Sequence, residues 1–340
     1  MNLKDDPYKN FALVREMLET PEILWRFDFD RSREVAAQIR ETGSLFLTGE
    51  GSSRIFPAKN LICHLMKLGW PLAVATDGAR QAHEYDLSPF AVFGASNSGQ
   101  TKELISLFSR LGEQGHPQRY GLTANPNTRL EAVSTRCFTL SCGKERAVAA
   151  TKSVVEQALF YRSLSLVYEE DDSPLVSGQT AAAEQAREVL EARIDPEIIQ
   201  AVAGAATVYF AGRNNGVAEE LTLKANEITR KKSDYLEGTY AVHGVEEVMD
   251  RSDVVVVIDP FPDEARKFKE VLVDGVGLPV IAISSQPTIF PTIAVPPHEA
   301  YQTVLELLAG WNLLVSVGAA LKIDLDRPQR ARKIGNEFLG

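Results

Sequence analysis

Short apolar runs alternate with stretches of helical periodicity along this 340-residue chain. Runs at 45–47, 91–95, 119–123 and 137–140 predict strands, and helical patterns at 58–68 and 102–114 fit between them. A longer helix is predicted from about 149 to 168. Residues 1–40 read as a helical segment, with Thr20-Pro21 as an N-cap and N1 pair. The acidic stretch Glu169-Glu170-Asp171-Asp172-Ser173-Pro174 breaks the pattern and predicts a linker over 170–180. A helix over 178–192 then opens a second series, with strands at 207–211, 254–258, 280–284 and 292–295 and helices at 217–228 and 297–321. Such alternation implies an α/β fold with mostly parallel sheets covered by helices on both faces.

The two series read as a diverged repeat. Leu45-Phe46-Leu47-Thr48-Gly49 opens the first and Val208-Tyr209-Phe210-Ala211-Gly212 the second. The expected domains are 41–172 and 180–322, followed by a tail over 323–340. One segment breaks the likeness between the halves. In the first, the apolar run Phe90-Ala91-Val92-Phe93 leads into Gly94-Ala95-Ser96-Asn97-Ser98-Gly99-Gln100-Thr101 and then a helical pattern. The second offers Ile258-Asp259-Pro260-Phe261-Pro262 instead. A strand, a small hydroxyl-rich turn and a helix N-terminus favour an anion, because unpaired N–H groups and the helix dipole converge there. Ser96, Ser98 and Thr101 add hydroxyl donors. The same residues also suit plain N-capping. The loop has neither the Gly-Lys-Ser/Thr close of a P-loop nor the three-glycine dinucleotide spacing.

Charge narrows the partners. With 36 basic and 46 acidic side chains the net charge is −10, which argues against a nucleic-acid or anionic-membrane binder. A small phosphorylated ligand needs only local donors. The three cysteines, Cys63, Cys137 and Cys142, fit a reducing compartment and form no metal-ligand pattern. The start, Met1-Asn2-Leu3-Lys4-Asp5-Asp6, does not read as a signal peptide, and no apolar stretch of membrane-spanning length stands out. The expectation is a cytoplasmic protein with no metal and no cofactor.

Four segments point to one family. They are Gly49-Glu50-Gly51-Ser52-Ser53, Ser96-Asn97-Ser98-Gly99-Gln100-Thr101, Glu145-Arg146-Ala147-Val148-Ala149-Ala150-Thr151-Lys152, and the run from Glu220 through Lys224 and Glu227 to His243-Gly244. Together, in this order, the chain resembles the tandem sugar isomerase (SIS) domains of phosphosugar enzymes, and most closely the isomerase half of glucosamine-6-phosphate synthase. The spacing of Lys224, Glu227 and His243 matches the family pattern, and Asp326-Arg327-Pro328 precedes Lys333 as in the family's C-terminal lysine motif. Three departures bear on sugar specificity. Asn97 and Gln100 replace Gln and Glu in the serine loop. Val242-His243-Gly244-Val245 replaces Lys-His-Gly-Pro. Arg332 replaces a small residue.

The resemblance implies roles for individual residues. Ser53, Ser96, Ser98 and Thr101 hold the phosphate, with Ser52 and Asn97 nearby, and Val148 meets the sugar through its backbone. Glu227 shuttles a proton between C1 and C2, a task that suits a carboxylate. His243 opens the sugar ring, and it comes from the neighbouring subunit of a homodimer. Lys333 forms a Schiff base with a C2 carbonyl or assists ring opening, and Lys224 orients Glu227 or holds hydroxyls. Taken singly, Glu227 is also a plausible solvated helix charge, His243 a plain loop histidine, Lys224 part of a surface ion pair, and Lys333 part of a basic tail. The family's glutaminase domain has no counterpart before the first strand, so the expected direction is release of ammonia: glucosamine 6-phosphate and water giving fructose 6-phosphate and ammonia. The alternatives are a fructosamine-6-phosphate deglycase and, in another class, a non-catalytic phosphosugar sensor.

Overall fold

The computed structural model describes residues 1–169 and 173–330. These divide into two compact units, each built on a five-stranded, wholly parallel sheet flanked by helices. One unit holds Arg26–Arg146 and Ala150–Ser177 and carries the first sheet. The other holds Met1–Trp25, Ala147–Ala149 and the chain from Gly178 to Gln329.

The first sheet comprises β1 (Ser44–Gly49), β2 (Ala73–Gly78), β3 (Ala91–Ala95), β4 (Arg119–Thr123) and β5 (Arg136–Thr139), in the order β2-β1-β3-β4-β5. The central strands are buried on both faces, which explains their continuous apolar runs. The helix Lys102–Glu113 turns Leu104, Leu107, Phe108 and Leu111 onto this sheet, one apolar stripe at helical spacing. On β3, Phe93 packs against the rings of Tyr120, Phe138, Phe160 and Tyr161.

The second sheet comprises β6 (Thr207–Gly212), β7 (Lys232–Glu237), β8 (Val254–Ile258), β9 (Val280–Ser284) and β10 (Thr292–Ala294). Its order, β7-β6-β8-β9-β10, repeats that of the first sheet strand for strand. Helix Gln302–Ala320 runs through the interior of this unit against the helices Gln179–Glu191, Pro196–Gly204 and Val217–Lys224. Here the sequence reading needs a correction. This helix of 19 residues is long and apolar enough to span a membrane by length and composition, yet 83% of its apolar window is buried inside the protein. It is apolar all round because it is a core helix. Asp326 returns to cap the helix Ala12–Leu18, its carboxylate accepting from Ala12 N at 2.7 Å and Leu13 N at 3.0 Å.

The acidic segment expected as a linker falls partly outside the described residues (170–172), and Pro174–Ser177 forms a short helical turn. Just before it, Glu169 Oε1 lies 3.7 Å from Nε2 of His64, on helix Ile55–Leu68. Burial pushes the His64 imidazole below its ordinary pKa, and Glu169 opposes this only in part. Below about pH 6.5 the unfolded chain therefore takes up a proton that the folded chain resists. Stability contributed by neutral His64 is present above that pH and lost as the pH falls toward the depressed folded value. His64→Gln is expected to flatten the loss of thermal stability between about pH 7.5 and about pH 5.5, read from melting curves at each pH.

Candidate functional site

In an open parallel sheet of this order, the connections leave in opposite directions from the two strands at the switch point, here β1 and β3. The turns after those strands are the two hydroxyl-rich segments of the sequence. They meet at Gly49, where a Cβ would stand 2.7 Å from the Ala95 carbonyl and 3.3 Å from the Ser53 carbonyl. Only a glycine lets the β1 turn pass this close to the end of β3.

The loop after β3 is internally braced. Ser96 N donates to the Leu122 carbonyl on β4 at 2.9 Å. Ser96 Oγ lies 2.8 Å from Thr101 Oγ1 and 3.5 Å from Ser98 Oγ, so three hydroxyls converge. Gly99 N donates to Ser96 Oγ at 3.0 Å, and Gln100 N to Ser98 Oγ at 3.2 Å. Thr101 is the N-cap of helix Lys102–Glu113, so the hydroxyl cluster sits at a helix N-terminus. Ser53, half-buried, donates its N–H to the Glu50 carbonyl, and Ser52 is buried. Burial raises the Glu50 carboxyl pKa, against the stabilising N–H groups of Ala79 and Arg80.

Gly99 holds the loop closed. Its φ is +65°, and a Cβ there would lie 2.4–2.5 Å from the Thr128 side chain. Gly99→Ala is expected to cost about 2–4 kcal/mol, the sum of a left-handed alanine and an overpacked contact. Urea unfolding of the variant beside the wild-type protein checks this.

Asn97 lies between the two serines but turns inward. Its amide donates to Glu145 Oε2 and to Ser153 Oγ, each at 2.7 Å. Its carbonyl accepts from Thr123 Oγ1, Ala124 N and Asn125 Nδ2. Glu145 was part of a recognised segment, but sequence reasoning gave it no task. Its signal is the acid followed six and eight residues later by Thr151 and Ser153.

In the other unit, helix Val217–Lys224 widens into a π-helical segment, Ala225–Thr229. Such widening is frequent at functional sites. Lys224 is fully buried, and its Nζ lies 2.8 Å from Glu227 Oε2 and 3.4 Å from Glu220 Oε1. Glu220 is fully buried too, whereas the Glu227 side chain is 26% exposed. The structure thus joins Lys224 and Glu227 and adds Glu220, an acid one helical turn back that received no role from the sequence. His243 is exposed in the loop after β7, with Lys267 Nζ 3.4 Å from its Nε2. Val148 is half-buried beside Ala147, whose N–H donates to Glu16 Oε2 at 3.1 Å. Lys333 lies outside the described residues.

The switch point of the second sheet is built differently. Arg213, after β6, pairs with Asp259, after β8, and its guanidinium stacks on Phe261 at 4.1 Å. No cluster of hydroxyls corresponding to Ser96, Ser98 and Thr101 follows β8, where the sequence reads Asp259-Pro260-Phe261-Pro262.

No family model matches the chain, and no curated protein matches it in sequence. Solved structures do. The C-terminal domain of glucosamine-fructose-6-phosphate aminotransferase from Francisella tularensis superposes with a TM-score of 0.75 at 19% identity, over 94% of this chain and 98% of that one. Tagatose-6-phosphate ketose/aldose isomerase from Escherichia coli gives 0.76 at 17%, over 96% and 99%. Glucosamine-6-phosphate deaminase from Thermotoga maritima gives 0.72 at 17%, over 95% and 99%. The chain has the fold of these proteins. The likeness spans both sheets, since nearly the whole of each chain is covered, and at these identities it speaks for the fold alone.

Proposed function

We propose that this chain is a tandem SIS-domain enzyme, with domains over 41–172 and 180–322, that converts glucosamine 6-phosphate and water to fructose 6-phosphate and ammonia. The observation that carries this reading is the convergence of Ser96, Ser98 and Thr101 hydroxyls at the N-terminus of helix Lys102–Glu113, beside the β1/β3 switch point. A phosphate oxygen at that point meets hydroxyls, backbone N–H groups and the helix dipole together. Two structural neighbours whose names include glucosamine, one of them glucosamine 6-phosphate, support the choice of an amino sugar.

The chemistry divides among few groups. Ser53, Ser96, Ser98 and Thr101 are assigned the phosphate, with Ser52 nearby. His243 moves a proton between O5 and O1 and opens the ring, a role open to an imidazole near neutrality. Glu227 takes the C2 proton of the open-chain aldehyde and returns it to C1. O1 gains a proton as the C1 aldehyde becomes an alcohol, and the C2 amine gives up one as it becomes an imine, so the step is a net isomerisation. Water then adds to C2, and the nitrogen leaves as ammonia. Lys224 fixes the Glu227 carboxylate through the 2.8 Å contact. Lys333 is assigned to C2, and His243 to the active site of the partner in a homodimer.

The test is direct. Purified protein is incubated with glucosamine 6-phosphate, and ammonia and fructose 6-phosphate are measured in parallel. Equal amounts of both support the reading. Tight binding of the sugar phosphate without either product overturns it, and fructosamine 6-phosphates are then the substrates to try.

A further inference from the structure

We propose that Glu145 is a positioning residue for the 96–101 loop, acting through Asn97. Its functional consequence rests on the phosphosugar reading above. The Glu145 carboxylate is almost wholly buried, at 1% exposure. Oε1 accepts from Thr151 N at 2.8 Å, Thr151 Oγ1 at 2.9 Å and Ser153 N at 3.4 Å. Oε2 accepts from Ser153 Oγ at 2.6 Å and Asn97 Nδ2 at 2.7 Å. Asn97 Nδ2 also donates to Ser153 Oγ at 2.7 Å.

Five donors therefore converge on one side chain, and only an ionised carboxylate accepts them all without presenting a hydrogen of its own. A glutamine has one accepting oxygen, so its NH₂ would face either Asn97 and Ser153 or Thr151. Charge-assisted bonds to a buried carboxylate are also the stronger kind. Asn97 is held at two points, its side-chain amide by Glu145 and Ser153 and its backbone carbonyl by the end of β4. It stands between Ser96 and Ser98, so whatever fixes Asn97 fixes the spacing of the two hydroxyls.

The sign of the charge supports a geometric role. A negative group behind a loop that takes an anion opposes binding through space. Glu145 therefore serves the anion by shaping the loop and not by attracting the ligand. The same carboxylate spans from residue 145 to residue 151 and closes the base of the segment that contains Val148.

The experiment is a double-mutant cycle on the full chain with Glu145→Gln, Asn97→Ala and both together. Two quantities are read well below the melting temperature: the dissociation constant for fructose 6-phosphate, and hydrogen exchange at the amides of Gly99 and Gln100. Each single change is expected to weaken binding about tenfold and speed exchange about tenfold, the loss of one charge-assisted hydrogen bond. The double variant is expected to be no worse than the worse single one, because both act through the same bond. Ser153→Ala, which removes only the bridging hydroxyl, should move both readouts in the same direction and serves if Glu145→Gln does not fold. A lowered melting temperature with unchanged affinity and unchanged exchange overturns the proposal, as do additive effects. If the wild-type protein does not bind fructose 6-phosphate, the phosphosugar reading falls, and the exchange rates alone still decide whether Glu145 holds the loop.

Discussion

Glu227→Gln is expected to lower the rate of ammonia release from glucosamine 6-phosphate by about 10²–10⁴-fold, the range for removing a positioned general base. The substitution is nearly isosteric. Its carbonyl oxygen still accepts from Lys224, so the local packing of the π-helical segment should persist. What disappears is the capacity to take a proton from C2 and return it to C1. Because the phosphate is assigned to other residues, the affinity for fructose 6-phosphate should stay within about threefold, a difference under 1 kcal/mol. The loss then falls on kcat and not on KM, the signature of a group that acts in the transition state. Steady-state kinetics on the wild-type protein and the variant, with melting curves to confirm folding, decide the matter. A turnover unchanged within error removes Glu227 from the chemistry.

Glu227 is the member of its cluster suited to that work. Of Glu220, Lys224 and Glu227, only Glu227 keeps part of its side chain in contact with solvent. The other two side chains are fully buried in the helix packing.

Much of this arrangement was legible in the sequence. The inner strands β1, β3, β4, β6, β8 and β9 were found because burial on both faces gives them continuous apolar runs. The strands β2 and β7 were not found, and the reason is the same for both. Each pairs with the first strand of its series and with no other, so each is a sheet edge. Along β7, Lys-Ser-Asp-Tyr-Leu-Glu, only Leu236 is buried, and β2 has no fully buried residue. Polar edges of this kind discourage further pairing but erase the periodic signal. Without β2 the order of the first sheet stays hidden, and so does the switch point that brings the two hydroxyl turns together.

Other misses differ in kind. The helix Pro196–Gly204 had a readable start in Asp195-Pro196-Glu197, where the Asp195 side chain accepts from Glu197 N. The π-helical turn at Ala225–Thr229 had none, because Lys224 and Glu227 fall on one face of an α-helix as well. The link between Asn97 and Glu145 spans 48 residues and exists only once β3 and the segment before helix Lys152–Ser163 are folded. Linear motifs marked both ends of that bond, and only the structure joined them.

Lys224→Met should reduce folding stability by about 3–5 kcal/mol, the cost of breaking a buried ion pair by removing one partner. Methionine matches the length and apolar stem of lysine, so the change is mainly one of charge. Lys224 and Glu220 are both fully buried, with 3.4 Å between Nζ and Oε1. Without the ammonium the Glu220 carboxylate keeps its desolvation cost and loses this attraction. A second substitution separates charge from packing. Glu220→Gln in the Lys224→Met background removes the buried negative charge, and about half or more of the lost stability should return, a coupling well outside simple additivity. Urea unfolding of the wild-type protein, Lys224→Met, Glu220→Gln and the double variant measures it. A loss near the 0–1 kcal/mol of an exposed pair would show that the cluster behaves as a surface salt bridge. The same variants also report on function. Lys224→Met frees Glu227 from its 2.8 Å anchor, so turnover should fall, and restoring stability through Glu220→Gln should not restore it. Stability and turnover then part within one cluster, because Lys224 contacts both the buried Glu220 and the partly exposed Glu227.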